Sequence, residues 1–467
     1  VAAVGLGRGN SRYLDAVTLT QDFVDALCDI VGIEHVFTDD LGSYATDWTG
    51  RFVGTPSCVV RPATTDEVSR VMRLCSLRNI AVVPQGGNTG LVGGTLAHDG
   101  QIILSTQRLK WIGEVDEASQ QISAGAGAIL ESIQDAAKQS GLRYPIDFGA
   151  RGSATIGGTI ATNAGGINVL RFGSTRQQIV GIEAVLPSGD VIEHMGGLLK
   201  DNTGYDLMSL LCGSEGTLGI VTAVRLRLVP VHAKRTTLLL GCQSTEEVIH
   251  LVGGFRRDFD SLDSAEMFFD DGAQLVSATF DVVIPFQSKA YILLDFSADA
   301  DQTLSIHECL KRMNFSGPSA VAEDEINRTK LWRLREEHTA AISTRGVPHK
   351  FDVTVAVSDL PEFIDAVRRR VFETNADWSV FVFGHAADGN MHVNVVGPSV
   401  NDESIDEIVL RVVADFNGSI SAEHGIGSAK KKWLSLSRSQ IEIETMKAIK
   451  GAIDPKGLMN PNALFES

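Results

Sequence analysis

Two histidines and a later acid–imidazole pair in the C-terminal half are residue types that bind metal ions or transfer protons. His385 and His392 lie seven residues apart in a segment predicted as strand, turn and strand, so they could face each other across a hairpin. Glu423 and His424 follow later in the chain. Two imidazoles and one carboxylate are a recurrent donor set for catalytic zinc. Each histidine alone is more often structural than a ligand, so it is the combination that indicates a metal site.

Three polar residues near the middle of this half could bind a substrate carboxylate away from such a metal. A helix predicted over Glu325–Ser343 places Arg335 and Thr339 four residues apart on one face, and Lys350 starts the strand that follows. A buried carboxylate without a cationic partner is costly, so this set would suit a dicarboxylic substrate. The alternative is a surface helix with exposed charges.

The first half of the chain contains three glycine-rich clusters. The loop Pro84–Gly94 holds five glycines in nine residues, so its backbone can turn sharply and aim several N–H groups at one anionic group. It matches neither the Walker A nor the Rossmann pattern. The cluster at 152–166 supplies small side chains and hydroxyls where a flat ring could approach the backbone, and a third cluster lies at 213–220. Any one cluster is most simply a tight turn, but three together favour a large phosphate-bearing cofactor.

A length of 467 residues suggests two or three domains. The predicted elements that position these groups change character near residues 229–235, which suggests a second, α+β domain beyond that point. Short strands and helices surround the glycine clusters, whereas longer helices alternate with strands beyond them. The clearest predictions are helices at 22–31, 65–78 and 441–449, and strands at 80–83, 102–104, 179–186, 220–228, 237–240, 290–295, 353–357 and 380–383.

Composition excludes several classes of partner. The 41 Lys and Arg against 58 Asp and Glu give a formal charge of −17, which would repel nucleic acids and anionic membranes. No apolar run approaches the length of a membrane span. The six cysteines are far apart without a CxxC pair, which argues against iron–sulfur clusters and a disulfide framework. The run Lys430-Lys431-Lys432 is predicted to be solvated.

The glycine clusters, together with Lys200-Asp201-Asn202-Thr203-Gly204-Tyr205-Asp206-Leu207, resemble the FAD-binding domain of the vanillyl-alcohol oxidase/p-cresol methylhydroxylase flavoprotein superfamily. The resemblance covers nearly the whole chain and implies an α+β fold. The expected parts are a two-subdomain FAD-binding domain at 1–232, an α+β substrate or cap domain with an antiparallel sheet at 233–442, and a C-terminal segment at 443–467 that returns to the FAD domain.

The resemblance also implies which residues contact FAD. Because neither His nor Cys occurs in 86–94 or 152–166, we expect the FAD to be bound without a covalent bond. The implied cofactor contacts are Pro84, Gly86, Gly87, Asn88, Thr89, Gly90, Gly93, Gly94, Ser153, Thr155, Ile156, Gly157, Gly158, Asn163, Gly165, Gly166, Glu215, Gly216, Gly219, Ile220 and Asn460.

The histidine motifs resemble the 2-hydroxy-acid dehydrogenase branch of the same superfamily, whose members act on D-lactate, glycolate or D-2-hydroxyglutarate. The resemblance implies that His385, His392 and Glu423 bind a divalent metal, either Zn²⁺ or another ion such as Mn²⁺. His424 would be the general base, and its imidazole suits proton transfer near neutral pH. Asn394 and His424 would contact the substrate.

The arrangement of Arg335, Thr339 and Lys350 resembles the hydroxyglutarate members of this branch. It implies an FAD- and metal-dependent oxidation of a 2-hydroxy diacid, D-2-hydroxyglutarate, to 2-oxoglutarate, with electrons passed to an electron-transfer flavoprotein or a quinone-linked acceptor. One alternative is a D-lactate or glycolate dehydrogenase, and another is a non-catalytic flavin-binding electron-transfer module. A homodimer is one expected assembly. The expected compartment is the bacterial cytoplasm, or the mitochondrial matrix after removal of a transit peptide.

Overall fold

The computed structural model describes residues 19–466, which form helices and four β-sheets. The predicted start of the first domain at residue 1 lies outside the described residues. None of the helices found in 19–466 combines the length and the apolar character needed to cross a membrane.

Residues 19–105 form a small mixed sheet with helices packed on it. Three strands run parallel in the order β2-β4-β3, and β1 pairs antiparallel with β2. Thr64 caps α3 by accepting a hydrogen bond from the Glu67 backbone N–H at 3.1 Å, so the predicted helix at 65–78 is confirmed. The elements are α1 (Gln21–Val31), a 3₁₀ helix (Ile33–His35), β1 (Val36–Phe37), α2 (Gly42–Ala45), β2 (Cys58–Val60), α3 (Thr65–Arg78), β3 (Val82–Gln85) and β4 (Ile102–Ser105).

Residues 112–230 form an antiparallel sheet in the order β5-β6-β10-β8-β9, plus a short pair of β7 and β11. Apolar residues of β6, β8 and β10 pack with α4 and α5 into a second core. The elements are β5 (Ile112–Asp116), β6 (Gln121–Gly125), α4 (Leu130–Gln139), β7 (Leu142–Arg143), α5 (Ile156–Thr162), α6 (Val169–Phe172), α7 (Thr175–Gln178), β8 (Ile179–Val185), β9 (Val191–His194), α8 (Leu207–Leu211), β10 (Ile220–Arg227) and β11 (Val229–Pro230).

Residues 234–415 build a seven-stranded sheet in the order β15-β12-β14-β13-β17-β18-β16, and every neighbouring pair in it is antiparallel. Apolar cores cover both faces of this sheet. The elements are β12 (Lys234–Cys242), α9 (Thr245–Asp258), β13 (Leu262–Phe269), α10 (Asp270–Phe280), β14 (Ala290–Ala298), α11 (Thr303–Arg312), β15 (Ser319–Ala322), α12 (Glu325–Glu336), α13 (His338–Ser343), β16 (His349–Thr354), a 3₁₀ helix (Val357–Asp359), α14 (Leu360–Thr374), β17 (Ser379–His385), β18 (Asn390–Val396) and α15 (Glu403–Asp415).

The helix predicted over 325–343 is interrupted. α12 ends at Glu336 and α13 begins at His338, so Glu337 separates two helices. Arg335 is buried and Thr339 is exposed. The prediction that these two side chains share one face of a continuous helix was therefore wrong, although both remain near the same end of α12.

The C-terminal residues return to the first sheet. After a 3₁₀ helix (Lys431–Leu436), α16 (Gln440–Ile453) begins with a capping box of Ser439 and Glu442. Beyond it, Met459 forms a parallel bridge with Val82 and is buried in the first core. Met459 thus contacts the first sheet, while the predicted return segment at 443–467 and the boundaries near 232 and 442 stay predictions.

The lysine run at 430–432 is not uniformly solvated, so that prediction was wrong. Lys430 is only 7% exposed and its Nζ donates to the Ile420 carbonyl at 2.8 Å. Burial lowers the pKa of Lys430, and the nearby carboxylates of Asp352 and Glu215 oppose that shift. An internal cation is thus retained because buried carboxylates surround it.

Candidate active site

One face of the seven-stranded sheet carries most of the residues predicted to bind the metal and the substrate. Alternate residues of β13, β16, β17 and β18 enter the core beneath α9, α14 and α15, which leaves the intervening polar side chains on the opposite face. Direct cross-strand partners point to the same face. The partners on this face are Lys350 with Asn394, Asp352 with His392, and Glu266 with His385.

Glu266 is a site residue that the sequence motifs did not indicate. Its Oε1 lies 2.6 Å from His385 Nδ1, and its Oε2 accepts a hydrogen bond from Arg335 Nε at 2.8 Å. Burial lowers the pKa of a histidine, but the Glu266 carboxylate more than offsets this effect and raises the pKa of His385 to about 9. The available signal was a glutamate among the apolar residues at 265–269, in a strand that is buried throughout.

Asp352 is the second carboxylate that the motifs missed. It is 1% exposed, and its Oδ2 accepts hydrogen bonds from the backbone N–H groups of Glu423 and His424 at 2.7 and 3.0 Å. Its Oδ1 accepts a hydrogen bond from Asn390 Nδ2 at 2.8 Å. Asp352 therefore fixes the loop that carries the predicted base and one predicted metal ligand against the face of the sheet.

The two remaining histidines face the same carboxylate. His392 Nδ1 lies 3.6 Å from Asp352 Oδ1, and His424 Nδ1 lies 3.7 Å from Asp352 Oδ2. Their rings are stacked, with centroids 6.3 Å apart. Burial lowers the pKa of His392 to about 3 despite the Asp352 charge, so its imidazole is neutral at neutral pH. A neutral imidazole is the form that binds a metal ion, so His385, whose pKa is raised to about 9, must release a proton before it can bind one.

The predicted metal ligands have suitable donor chemistry but are not gathered into a metal site. Within residues 19–466, no group of three or more His, Cys, Asp or Glu side chains is arranged to hold a metal ion. The rings of His385 and His392 are neighbours, with centroids 5.5 Å apart. The Glu423 carboxylate instead accepts a hydrogen bond from the Gly166 N–H at 2.6 Å. The binding of a metal ion by these residues therefore stays a prediction. The types of donor atom are suitable for it.

The predicted substrate residues are partly assembled. The Arg335 guanidinium lies 4.6 Å from the centre of the Phe383 ring, beside the histidines. Lys350 and Asn394 are adjacent across β16 and β18, and Lys350 is exposed. Thr339, also exposed, lies in α13. Arg335, Lys350 and Asn394 thus lie along the polar sheet face, where two cations are available to a dianionic ligand, and the role of Thr339 stays a prediction.

The glycine loops predicted to bind FAD pack closely against each other. A Cβ at Gly86 would overlap the Thr155 hydroxyl, and one at Gly87 would overlap the Ser153 carbonyl oxygen. The Thr155 hydroxyl is buried and has no hydrogen-bond partner among the described residues. A cavity of about 400 Å³ opens beside Gly87. An unpaired polar group next to a glycine loop and a cavity fits a bound phosphate-bearing cofactor.

The third loop ties the two halves of the site together. Glu215 accepts hydrogen bonds from the backbone N–H groups of Ile426 and Gly427 at 2.8 and 2.7 Å. Burial raises the pKa of Glu215, and these two donors oppose the shift. Asn460 Nδ2 donates to the carbonyls of Gly94 and Glu215 at 2.9 and 2.7 Å. In this structure Glu215 and Asn460 thus hold the loops in place.

The other predicted cofactor residues lie in the same three loops or at their ends. Asn88 and Asn163 adopt left-handed backbone conformations, and their side chains bond within the protein. Ile220 begins β10 and is buried in the first core. Pro84 lies in β3, and Ile156, Gly157 and Gly158 form the first turn of α5. The remaining predicted residues in the loops are Thr89, Gly90, Gly93, Gly165, Gly216 and Gly219.

We expect Gly87→Ala to weaken FAD binding about tenfold or more, because the new methyl group would force the Ser153 loop away by an overpacking cost of about 1–3 kcal/mol. Flavin absorbance per protein after dialysis measures the loss. Gly149→Ala is the matched control, since a Cβ there meets no atom within 4 Å. Equal flavin content in both variants would contradict the packing account.

The amino-acid sequence of the chain is similar to those of known proteins over both halves of this site. Residues 56–194 match the FAD binding domain family, and 231–464 match the family of C-terminal domains of FAD linked oxidases. D-2-hydroxyglutarate dehydrogenase of Xanthomonas citri pv. viticola is 36% identical over 446 residues, which cover 92% of this chain and 93% of that protein. The mitochondrial D-2-hydroxyglutarate dehydrogenase of Rattus norvegicus is 34% identical over 451 residues, covering 94% and 84%.

A solved structure supports the fold independently. Substrate-bound p-cresol methylhydroxylase superposes with a TM-score of 0.77 over 96% of this chain and 98% of that chain, at 15% identity. At this identity the likeness concerns the fold alone. The predicted α+β fold of the vanillyl-alcohol oxidase type is confirmed.

Proposed function

The chain belongs to the FAD-linked oxidases and is an FAD-dependent hydroxy-acid dehydrogenase, and on this premise we propose that it oxidises D-2-hydroxyglutarate to 2-oxoglutarate. The relatives that carry this substrate in their names align along almost the entire chain. The proposal assigns the polar sheet face to the substrate and the glycine loops to FAD.

The observation that carries the proposal is the contact between Glu423 and Gly166. The carboxylate beside the predicted base accepts its hydrogen bond from the backbone of a predicted flavin loop, at 2.6 Å. His424 is the next residue, so the group that would remove the hydroxyl proton lies at the junction with the flavin loops. A hydride transfer requires this proximity, because the C2 hydrogen and its acceptor must come into contact.

The protein's own groups orient and deprotonate the substrate. Arg335, Thr339 and Lys350 hold the distal carboxylate, which a five-carbon diacid has and lactate lacks. His424 accepts the C2 hydroxyl proton. Its Nδ1 lies 3.7 Å from Asp352 Oδ2, which leaves Nε2 as the nitrogen that this carboxylate does not contact. The chemistry that bound FAD supplies is acceptance of the hydride from C2.

A divalent metal, zinc or another ion such as manganese, completes the proposal. His385, His392 and Glu423 would hold it, and Asn394 lies beside His392 on the same strand face. The contribution of such an ion is Lewis-acid polarisation of the substrate oxygens. Support comes from the donor types and from the buried carboxylates that face both histidines, the usual environment of metal-binding imidazoles.

The proposal includes an external electron acceptor. The sequence has neither a dinucleotide fingerprint nor closely spaced cysteines for an iron–sulfur cluster, so the reduced flavin needs another protein or a quinone-linked carrier. We propose an electron-transfer flavoprotein or a quinone-linked acceptor, and a homodimer as the assembly. Bacterial and mitochondrial relatives support the cytoplasm or the mitochondrial matrix as the compartment.

Lys350→Met should raise the KM for D-2-hydroxyglutarate about 10- to 100-fold, because a charge-assisted hydrogen bond to the distal carboxylate contributes about 1.5–3 kcal/mol. The KM for D-lactate should not change. Steady-state kinetics with an artificial acceptor measure both values. Lys330→Met, on the exposed side of α12, is the control. An unchanged KM for the diacid would contradict the role of Lys350 and favour a lactate-type substrate.

A further inference from the structure

The buried Glu266 connects two parts of the site that have separate tasks. We infer that Glu266 is a positioning residue that orients the substrate-binding Arg335 and the metal-binding His385 together, an inference that rests on the proposed function. One carboxylate would then couple metal binding to recognition of the diacid.

The two contacts of Glu266 leave the useful atoms of its partners free. Oε2 accepts a hydrogen bond from Arg335 Nε at 2.8 Å, so the two terminal nitrogens of the guanidinium can address a substrate carboxylate. The guanidinium also rests on the Phe383 ring at 4.6 Å, which restricts its rotation. Arginine used in this way binds a carboxylate through two parallel hydrogen bonds.

The contact with His385 selects one nitrogen of the ring. Oε1 lies 2.6 Å from Nδ1, a contact in which Nδ1 donates to the carboxylate, so Nε2 is the nitrogen that Glu266 leaves free. Fixing the tautomer and the ring plane through a carboxylate is how proteins prepare histidines for metal ions, and loss of such a partner typically costs 10- to 100-fold in affinity.

The sheet leaves Glu266 little freedom to do anything else. Glu266 is directly opposite His385 in the pairing of β13 with β17, and it has no exposed surface. Asp295 on β14 offers a matched comparison, because it is equally buried and bridges Arg235 and Arg328 at 2.8 and 3.1 Å. Neither of those arginines belongs to the proposed site.

The test compares Glu266→Gln, Glu266→Asp and the control Asp295→Asn as purified FAD-loaded enzymes. Zinc affinity is measured by competition with a chelator. The KM for D-2-hydroxyglutarate is measured at saturating zinc. We expect both Glu266 variants to bind zinc at least 10-fold more weakly and to show a raised KM, with Asp295→Asn matching wild type in both. Glu266→Asp keeps the charge but withdraws the carboxylate, so it decides the matter if Glu266→Gln does not fold.

Two results would overturn the inference: wild-type zinc affinity and KM in a folded Glu266 variant, or equal losses in Asp295→Asn. Failure of the proposed function is recognised separately. In that case the wild-type enzyme itself would bind no zinc, or its flavin would not be reduced by D-2-hydroxyglutarate.

Discussion

Replacing His424 with glutamine should lower kcat for D-2-hydroxyglutarate about 10³-fold, because a positioned general base typically contributes 10²- to 10⁴-fold. FAD content and the KM should change little, since the loop is held by its backbone N–H groups to Asp352 rather than by the imidazole. The rate of anaerobic flavin reduction after rapid mixing reports the step directly.

The control for this substitution is His307→Gln, an exposed histidine of α11. It should retain the wild-type rate. A His424→Gln enzyme that keeps more than about a tenth of the wild-type reduction rate would exclude His424 as the base, given the range expected for such a group. Another residue of the sheet face would then have to accept the proton.

Replacing His392 with alanine should abolish metal binding and lower kcat about 10³-fold, as expected when several kcal/mol of transition-state stabilisation are lost. His392 is half-buried, its Nδ1 lies 3.6 Å from Asp352 Oδ1, and its lowered pKa of about 3 keeps the imidazole in the neutral form that a metal ligand requires. Metal stoichiometry by atomic emission and turnover should fall together, and a strong chelator should reproduce the effect in wild type.

His349→Gln is the matched control for the metal prediction. His349 is a buried histidine in the neighbouring β16, but its two nitrogens contact Asp406 Oδ2 at 3.2 Å and the Ser399 carbonyl at 2.9 Å. It should keep the metal. If the His392 variant retained both metal and turnover, the metal mechanism would be wrong and the histidines would only stabilise the fold.

Local sequence signals accounted for much of the fold. The strong helix signal at 65–78 matches α3, and the turn predicted between His385 and His392 lies where β17 and β18 form a hairpin. These features depend on residues close in the chain. The break at Glu337 was missed, because it reflects the packing of two helices on the sheet rather than a Gly or Pro signal.

The buried carboxylates of the site could not be found from motifs. Glu266 is 119 residues from His385, and Asp352 is 71 residues from Glu423, so only the pairing of distant strands and loops brings them together. The burial of Lys430 could not be predicted from the local sequence either. Three adjacent lysines favour a solvated run unless buried acids need a cation. Pattern analysis identifies the reacting groups more readily than the residues that orient them.

The central claim is that this site oxidises D-2-hydroxyglutarate with the help of a metal. Anaerobic reduction of the purified yellow enzyme tests it most directly, by following flavin bleaching with D-2-hydroxyglutarate, L-2-hydroxyglutarate and D-lactate before and after chelator treatment. We predict rapid bleaching only with D-2-hydroxyglutarate, lost after chelation and restored by zinc. Faster bleaching with D-lactate, or bleaching by D-2-hydroxyglutarate that the chelator does not affect, would contradict the account.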